Sequence, residues 1–183
     1  GNGCSATATR GGNAVATTMG FTPLEGLVMG TRAGSVDPGI LLHAMERMGL
    51  SARELGEILQ RRSGLLGISG VSSDFRAVRE AAREGNGRAR LALAIYADSV
   101  RAAIGALAVA LGGVDALVFT AGVGENASDL RMEVCRGLEC LGLRLDPGRN
   151  GTLRPDADIS AVDSPGRILI LHTREDLHIA REA

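Results

Sequence analysis

Three stretches of this chain place glycine or a helix-capping residue beside a predicted strand: Gly1-Asn2-Gly3, Thr120-Ala-Gly122-Val123-Gly124-Glu125-Asn126, and Thr173-Arg-Glu175-Asp176. In α/β sheets ligands gather at the carboxyl ends of strands. Glycine turns let backbone N–H groups come close to a phosphate, and a helix starting after such a turn adds the positive end of its dipole. The chemistry suggested is nucleotide phosphate binding, against plain turns that only reverse the chain. Arg32 sits between small residues in Met29-Gly-Thr-Arg32-Ala-Gly-Ser35. It reads either as a surface arginine in a turn or as a cation delivered to a phosphoryl group in transit. Glu175 reads as a ligand for hydrated Mg²⁺ or as a first-turn acid favoured by a helix dipole. Asp74 and Arg76 either contact a nucleotide or dress a helix start. His43, His172 and His178 have no Ser/His/Asp or His/Cys cluster around them and read as structural.

The elements that position these residues follow from periodicity and caps. Cys4–Arg10 and Asn13–Met19 are strand-like and flank Gly11-Gly12, a strong hairpin signal. Residues Phe21–Val36 are Gly-rich and irregular, yet too hydrophobic for disorder. A loop of that length in a compact domain is usually functional. Asp37-Pro38 starts a helix with Ile40, Leu41, Ala44, Met45 and Met48 as its apolar stripe, stopped by Gly49. Ser51-Ala-Arg-Glu54 is a capping box opening a second helix with Leu55, Ile58 and Leu59 inward. Ser63–Ser73 reads as a second Gly-rich loop, leading to a helix over Phe75–Glu84.

Arg88–Leu111 is predicted as one long helix of roughly 36 Å. Leu91, Ile95, Ala102, Ala106 and Val109 mark one apolar face and Leu93, Tyr96, Val100, Leu107 and Leu111 another, which implies a buried central helix. Ala116–Thr120 is a continuous apolar run, predicted as a strand buried on both faces. A helix through Leu130, Val134, Leu138 and Leu141, a short strand at Leu143–Leu145, a polar turn-rich stretch, a strand at Ile168–His172 and a last helix capped by Thr173 complete an α/β order. No internal repeat or linker is evident, so residues 1–183 read as one domain.

Composition excludes several functions. The 183 residues carry a formal charge of −1, and all 20 basic residues are arginine. There is no basic field for nucleic acid or an anionic membrane, and only Phe21, Phe75, Phe119 and Tyr96 supply aromatic rings, too few for stacking single strands. No apolar run approaches the ~18 residues of a membrane span. With no lysine, phosphate chemistry must use arginine or backbone amides. Cys4, Cys135 and Cys140 lack metal-ligand spacing and fit a reducing cytoplasm, the latter two as small core residues.

The residues also carry a resemblance. Thr18-Met-Gly-Phe-Thr-Pro-Leu-Glu-Gly-Leu27 followed by Met29-Gly-Thr-Arg32 is similar to the acetate kinase signature. Ser63–Asp74, Asn86–Ala92, Gly112–Thr120 and Gly122–Asn126 follow in that family's order, so the resemblance covers essentially the whole chain. It implies an actin-like ATPase (ribonuclease-H-like) fold with a mixed sheet and helices on both faces. It implies the C-terminal nucleotide-binding half of an enzyme that transfers the ATP γ-phosphoryl group to acetate, giving ADP and acetyl phosphate. Gly1, Asn2 and Gly3 match the tail of a phosphate-binding hairpin, and Asp74, Phe75 and Arg76 match a nucleotide-contacting segment. Gly122, Val123, Gly124, Glu125 and Asn126 match the adenosine turn, Arg32 the transition-state arginine, and Glu175 the Mg²⁺ ligand. Homodimerisation through this half, and dependence on an N-terminal domain absent here, are implied too. Ala121 and Ala127 stand where family members often have Gly and Ser, and Cys4 where Ala is usual. A propionate or other short-chain acid kinase, and a non-catalytic nucleotide-binding or dimerisation module, remain open alternatives.

Overall fold

The computed structural model describes residues 2–174 and 180. The chain divides into two compact units, Gly1–Leu111 and Gly112–Ala183.

In the first unit, β1 (Thr7–Arg10) and β2 (Asn13–Thr17) pair antiparallel. Gly11 and Gly12 between them adopt φ of 57° and 83°, the left-handed values a two-residue hairpin turn needs. The irregular segment that follows contains no regular element up to Asp37. Asp37 caps α1 (Pro38–Met48) by accepting the Gly39 N–H, and Gly49 ends it with φ 68°. Of the predicted apolar stripe Ala44 is buried, while Ile40, Met45 and Met48 are exposed. Periodicity marks an apolar face without saying what covers it. The capping box at Ser51 forms in both directions and opens α2 (Ala52–Arg61), with Leu55 buried.

The expected loop at Ser63–Ser73 is also corrected, because it contains α3 (Gly64–Ser69). The tertiary setting creates this helix. Leu65 N–H donates to Met29 O at 2.9 Å and Leu66 N–H to Gly30 O at 3.0 Å, so the preceding loop satisfies the helix's first donors. α4 (Phe75–Arg83) starts at the Asp74 cap and runs as predicted.

α5 (Gly87–Leu111) is the longest element, at 25 residues. It packs against α3, α4, β1 and β2. Ala92, Tyr96, Ala97, Ile104 and Ala108 face inward, whereas Leu91, Ile95, Ala102, Ala106 and Val109 all lie outward. One of the two predicted faces is therefore exposed. By length and mean hydropathy alone α5 could cross a membrane, although Asp98 and Arg101 interrupt its apolar stretch. Arg10 Nη2 donates to the Leu111 carbonyl at 2.6 Å, satisfying an end of the helix that has no partner of its own.

In the second unit, β3 (Ala116–Phe119), β4 (Ala157–Asp158) and β5 (Arg167–Ile170) form a mixed sheet in the order β3-β5-β4. β3 runs parallel to β5, and β4 antiparallel. Ile168 and Ile170 of the central strand are fully buried. β3 was expected to be buried on both faces, but it lies at the edge of this sheet and Val118 is exposed. Helix α6 (Ala121–Asn126) follows β3, then α7 (Ser128–Cys135). The single helix predicted through Leu141 is broken at Gly137, φ 87°, and resumes as a 3-10 turn, Leu138–Leu141. The strand expected at Leu143–Leu145 reduces to one bridge between Leu145 and Ser160. The stretch read as turns contains α8 (Pro147–Thr152), capped by Asp146. Cys135 is buried as expected, while Cys140 is exposed.

Candidate functional site

The loop that carries Arg32 is pinned from two sides. Its Met29, Gly30 and Thr31 carbonyls accept from Leu65, Leu66 and Ser63, while Ala33 N–H donates to Leu59 O at 3.0 Å and Thr31 Oγ1 to Gln60 O at 2.9 Å. Gly64 makes this approach possible. At φ 59°, a β-carbon there would lie 2.2 Å from Met29 O, so no other residue type fits. Among the described residues the Arg32 guanidinium bonds to uncharged groups: Nη1 donates to Pro23 O at 3.3 Å and lies 3.6 Å from Met29 Sδ. Among the described residues it has no carboxylate partner. A fixed backbone thus carries a cation whose donors are not committed to an ion pair.

Gly30 joins Arg32's loop to two other predicted segments. Its N–H donates to Asn2 O at 2.9 Å. A β-carbon on Gly30 would lie 2.8 Å from both Asn2 Oδ1 and Ser73 O, and one on Gly3 would lie 3.8 Å from Arg32 Nη1. Asn2, Gly3, Arg32 and the start of α4 therefore converge within the first unit. Asp74 accepts Arg76 N–H at 2.8 Å and pairs with its guanidinium, Nη2–Oδ2 2.8 Å. The Arg76 hydrogen bonds hold the Asp74 carboxyl down at about 2. Phe75 turns inward, its ring 5.7 Å from that of Tyr96; its side chain belongs to the core. Cys4 is half-buried beside the Tyr96 hydroxyl, and burial pushes its thiol pKa up. That suits a packed side chain better than a reactive thiolate.

In the second unit the segment predicted as a glycine turn is the first turn of α6. Thr120 is extended, and Ala121 enters the helix at φ 60°, the one positive-φ residue among those described that is not glycine. A residue with a side chain at that φ carries a backbone cost, on the order of 1 kcal/mol. Gly122 and Asn126 face outward, and Asn126 Nδ2 donates to Gly122 O at 2.9 Å. Gly124 packs on the end of β3, where a β-carbon would sit 3.3 Å from Phe119 C.

Glu125 behaves differently from its neighbours. Its side chain is only 9% exposed. Oε1 accepts both the N–H and the hydroxyl of Thr173 at 3.0 Å, and Oε2 meets His172 Nδ1 at 2.8 Å. Burial alone would raise this carboxyl, but the hydrogen bonds from His172 and Thr173 outweigh it and hold it at about 2. Beneath the same turn lies Arg131, 2% exposed. Its Nη1 donates to Gly124 O and Glu125 O at 2.7 and 2.9 Å, and its Nε and Nη2 donate to the Oδ1 and backbone oxygen of Asn150. Sequence reasoning missed Arg131, Asn150 and the role of Thr173. Only a charged residue on the inward side of a helix could have flagged the first.

Gly1, Glu175 and the helix expected after Thr173 lie outside the described residues. Among those described, no group of three or more His, Cys, Asp or Glu is set to hold a metal ion.

Comparison with known proteins places these features in a lineage. The model of the Acetokinase family matches residues 1–181. The chain belongs to that family. It is 57% identical over 182 residues to the acetate kinase of Gloeobacter violaceus, covering 100% of this chain and 45% of that protein. The acetate kinase structure from Porphyromonas gingivalis superposes with a TM-score of 0.95 at 43% identity, covering 99% of this chain and 46% of the other. A propionate kinase structure from Francisella tularensis gives 0.92 at 39% identity, with the same coverage. The chain thus spans about half the length of the acetokinases it matches. These likenesses establish an α/β, actin-like ATPase fold, in agreement with the mixed sheet of the second unit.

Proposed function

We propose that residues 1–183 are the nucleotide-binding domain of an acetate kinase and supply half of its active site. In this reading the whole enzyme transfers the γ-phosphoryl group of ATP reversibly to acetate, forming acetyl phosphate. In the second unit Gly122–Asn126 is assigned to adenosine; in the first, Asn2 and Gly3 are assigned to phosphate binding and Asp74 and Arg76 to nucleotide contact. Arg32 stabilises the charge that builds on the equatorial oxygens of the transferring group. The observation that carries the reading is the state of Arg32: pinned backbone, neighbours Asn2 and Gly3, and no carboxylate partner among the described residues. Phosphoryl transfer asks a protein mostly for positioning and charge stabilisation, and a planar guanidinium fork suits a phosphoryl group.

Mg²⁺ is assigned to Glu175, where it would neutralise phosphate charge; such an ion takes one or two carboxylates beside the substrate's own oxygens. The acid-binding pocket and the remaining catalytic groups are assigned to an N-terminal domain. Homodimerisation is supported by the exposed apolar residues Ile40, Met45, Met48, Leu91 and Ile95 on α1 and α5. A cytoplasmic setting suits the free cysteines. The likeness to the Francisella propionate kinase keeps propionate as the second reading for the acid.

Joined to the N-terminal domain of an acetokinase, this chain is expected to form acetyl phosphate from ATP and acetate, trapped as the hydroxamate. A well-folded joined protein that turns over neither acetate nor propionate would count against the reading.

A further inference from the structure

We propose that Glu125 and Thr173 form a clasp that positions the nucleotide turn, and that Glu125 itself does not touch nucleotide. The inference rests on the assignment of Gly122–Asn126 to adenosine. Two strand ends meet here. β3 leaves through Thr120 into α6, and β5 leaves through Leu171 toward Thr173, with Leu171 N–H still donating to Phe119 O at 3.0 Å. Beyond that last ladder bond, among the described residues, Thr173 ties the two segments together beside the His172–Glu125 contact. Its hydroxyl accepts the Ala121 N–H at 2.9 Å and donates to Glu125 Oε1 at 3.0 Å, while its N–H donates to the same oxygen.

The threonine thus joins the first residue of α6 to the fifth, across the glycines read as the ligand-binding surface. A six-residue helix entered at positive φ has little intrinsic reason to hold its shape. The clasp supplies that constraint from one side and Arg131 from the other. Charge makes the same point. A carboxylate already accepting from Thr173 twice and meeting His172 Nδ1 is spent on protein groups, and turned toward a nucleotide it would repel phosphate. Asp156 steadies the same strand end by accepting His172 N–H at 2.8 Å and pairing with Arg174.

The test is calorimetric titration of the 183-residue chain with adenosine and with ADP. Glu125→Ala and Thr173→Val are each expected to weaken both ligands about tenfold by the same factor, because a displaced turn does not distinguish them. The double variant is expected to lose no more than either single one, and Thr173→Ser, which keeps the hydroxyl, to bind like the parent. Glu125→Gln, which keeps an acceptor oxygen for Thr173, is expected to lose about threefold and guards against an unfolded alanine variant. Losses that add, a Thr173→Val chain with parental affinity, or a change confined to ADP would overturn the clasp. A parent chain that binds neither ligand would overturn the nucleotide reading, and the clasp with it.

Discussion

Arg32→Ala, made in the chain joined to an acetokinase N-terminal domain, is expected to lower kcat by about 10²–10³-fold while changing ADP affinity less than about threefold. This is the pattern of an interaction made mainly in the transition state. The structure explains why the effect falls on kcat. The backbone from Met29 to Ala33 is fixed by hydrogen bonds to Leu59, Ser63, Leu65 and Leu66, so the arginine needs little reorganisation to meet charge as it develops. Removing the guanidinium leaves that scaffold intact, because its hydrogen bonds among the described residues are one long bond to Pro23 O and a sulfur contact. Arg32→Lys is expected to recover only part of the loss, since an ammonium lacks the planar fork. An Arg32→Ala enzyme with near-normal kcat would return Arg32 to the role of a turn residue.

The second large effect is on stability. Arg131→Met is expected to cost about 3 kcal/mol and so to lower Tm by about 6–12 °C in a chain of this size. Replacing a buried ion pair by apolar side chains is often harmless, but Arg131 differs, because the acceptors bonded to it include backbone carbonyls that remain after the substitution. Asn150 O and Asn150 Oδ1 would lose a donor in a buried setting, and Gly124 O and Glu125 O in a partly buried one. Burial already pushes the guanidinium pKa down, a measure of how little water reaches it. A melting curve within about 2 °C of the parent would mean that water or a shifted side chain can replace the arginine.

These two arginines show what a sequence discloses. Arg32 was singled out because it stands in a short loop among small residues, where a large cation has no packing role. Arg131 was not, because its function depends on the distant Asn150 and on carbonyls of the preceding helix. Caps were legible for the same reason of locality: Asp37-Pro38, Ser51 with Glu54, and Asp74 act within three or four residues. The same signal at Asp146-Pro147 was overridden by the polar residues around it, and α8 was missed. α3 was hidden more deeply, since Gly64 becomes a helix start only where Met29 and Arg32 press against it. Apolar faces were found but not their directions, as the exposed stripes of α1 and α5 and the edge position of β3 show. Glu125 was grouped with the turn by position, yet its carboxylate faces Thr173 and His172, residues 48 and 47 positions away.

The account stands most directly on whether this chain holds an adenine nucleotide. Isothermal titration of the purified 183 residues with ADP, with and without Mg²⁺, is expected to give one site of weak affinity, on the order of 0.1–1 mM, equivalent to about −5.5 to −4.1 kcal/mol. Adenosine contacts internal to Gly122–Asn126 would survive in the isolated chain, whereas a phosphate clamp completed by a second domain would not. Saturable heat at that level, abolished by Gly122→Val, is the result the account predicts. A folded chain that gives no binding heat up to about 10 mM ADP, where the free energy would be weaker than about −2.7 kcal/mol, would contradict it.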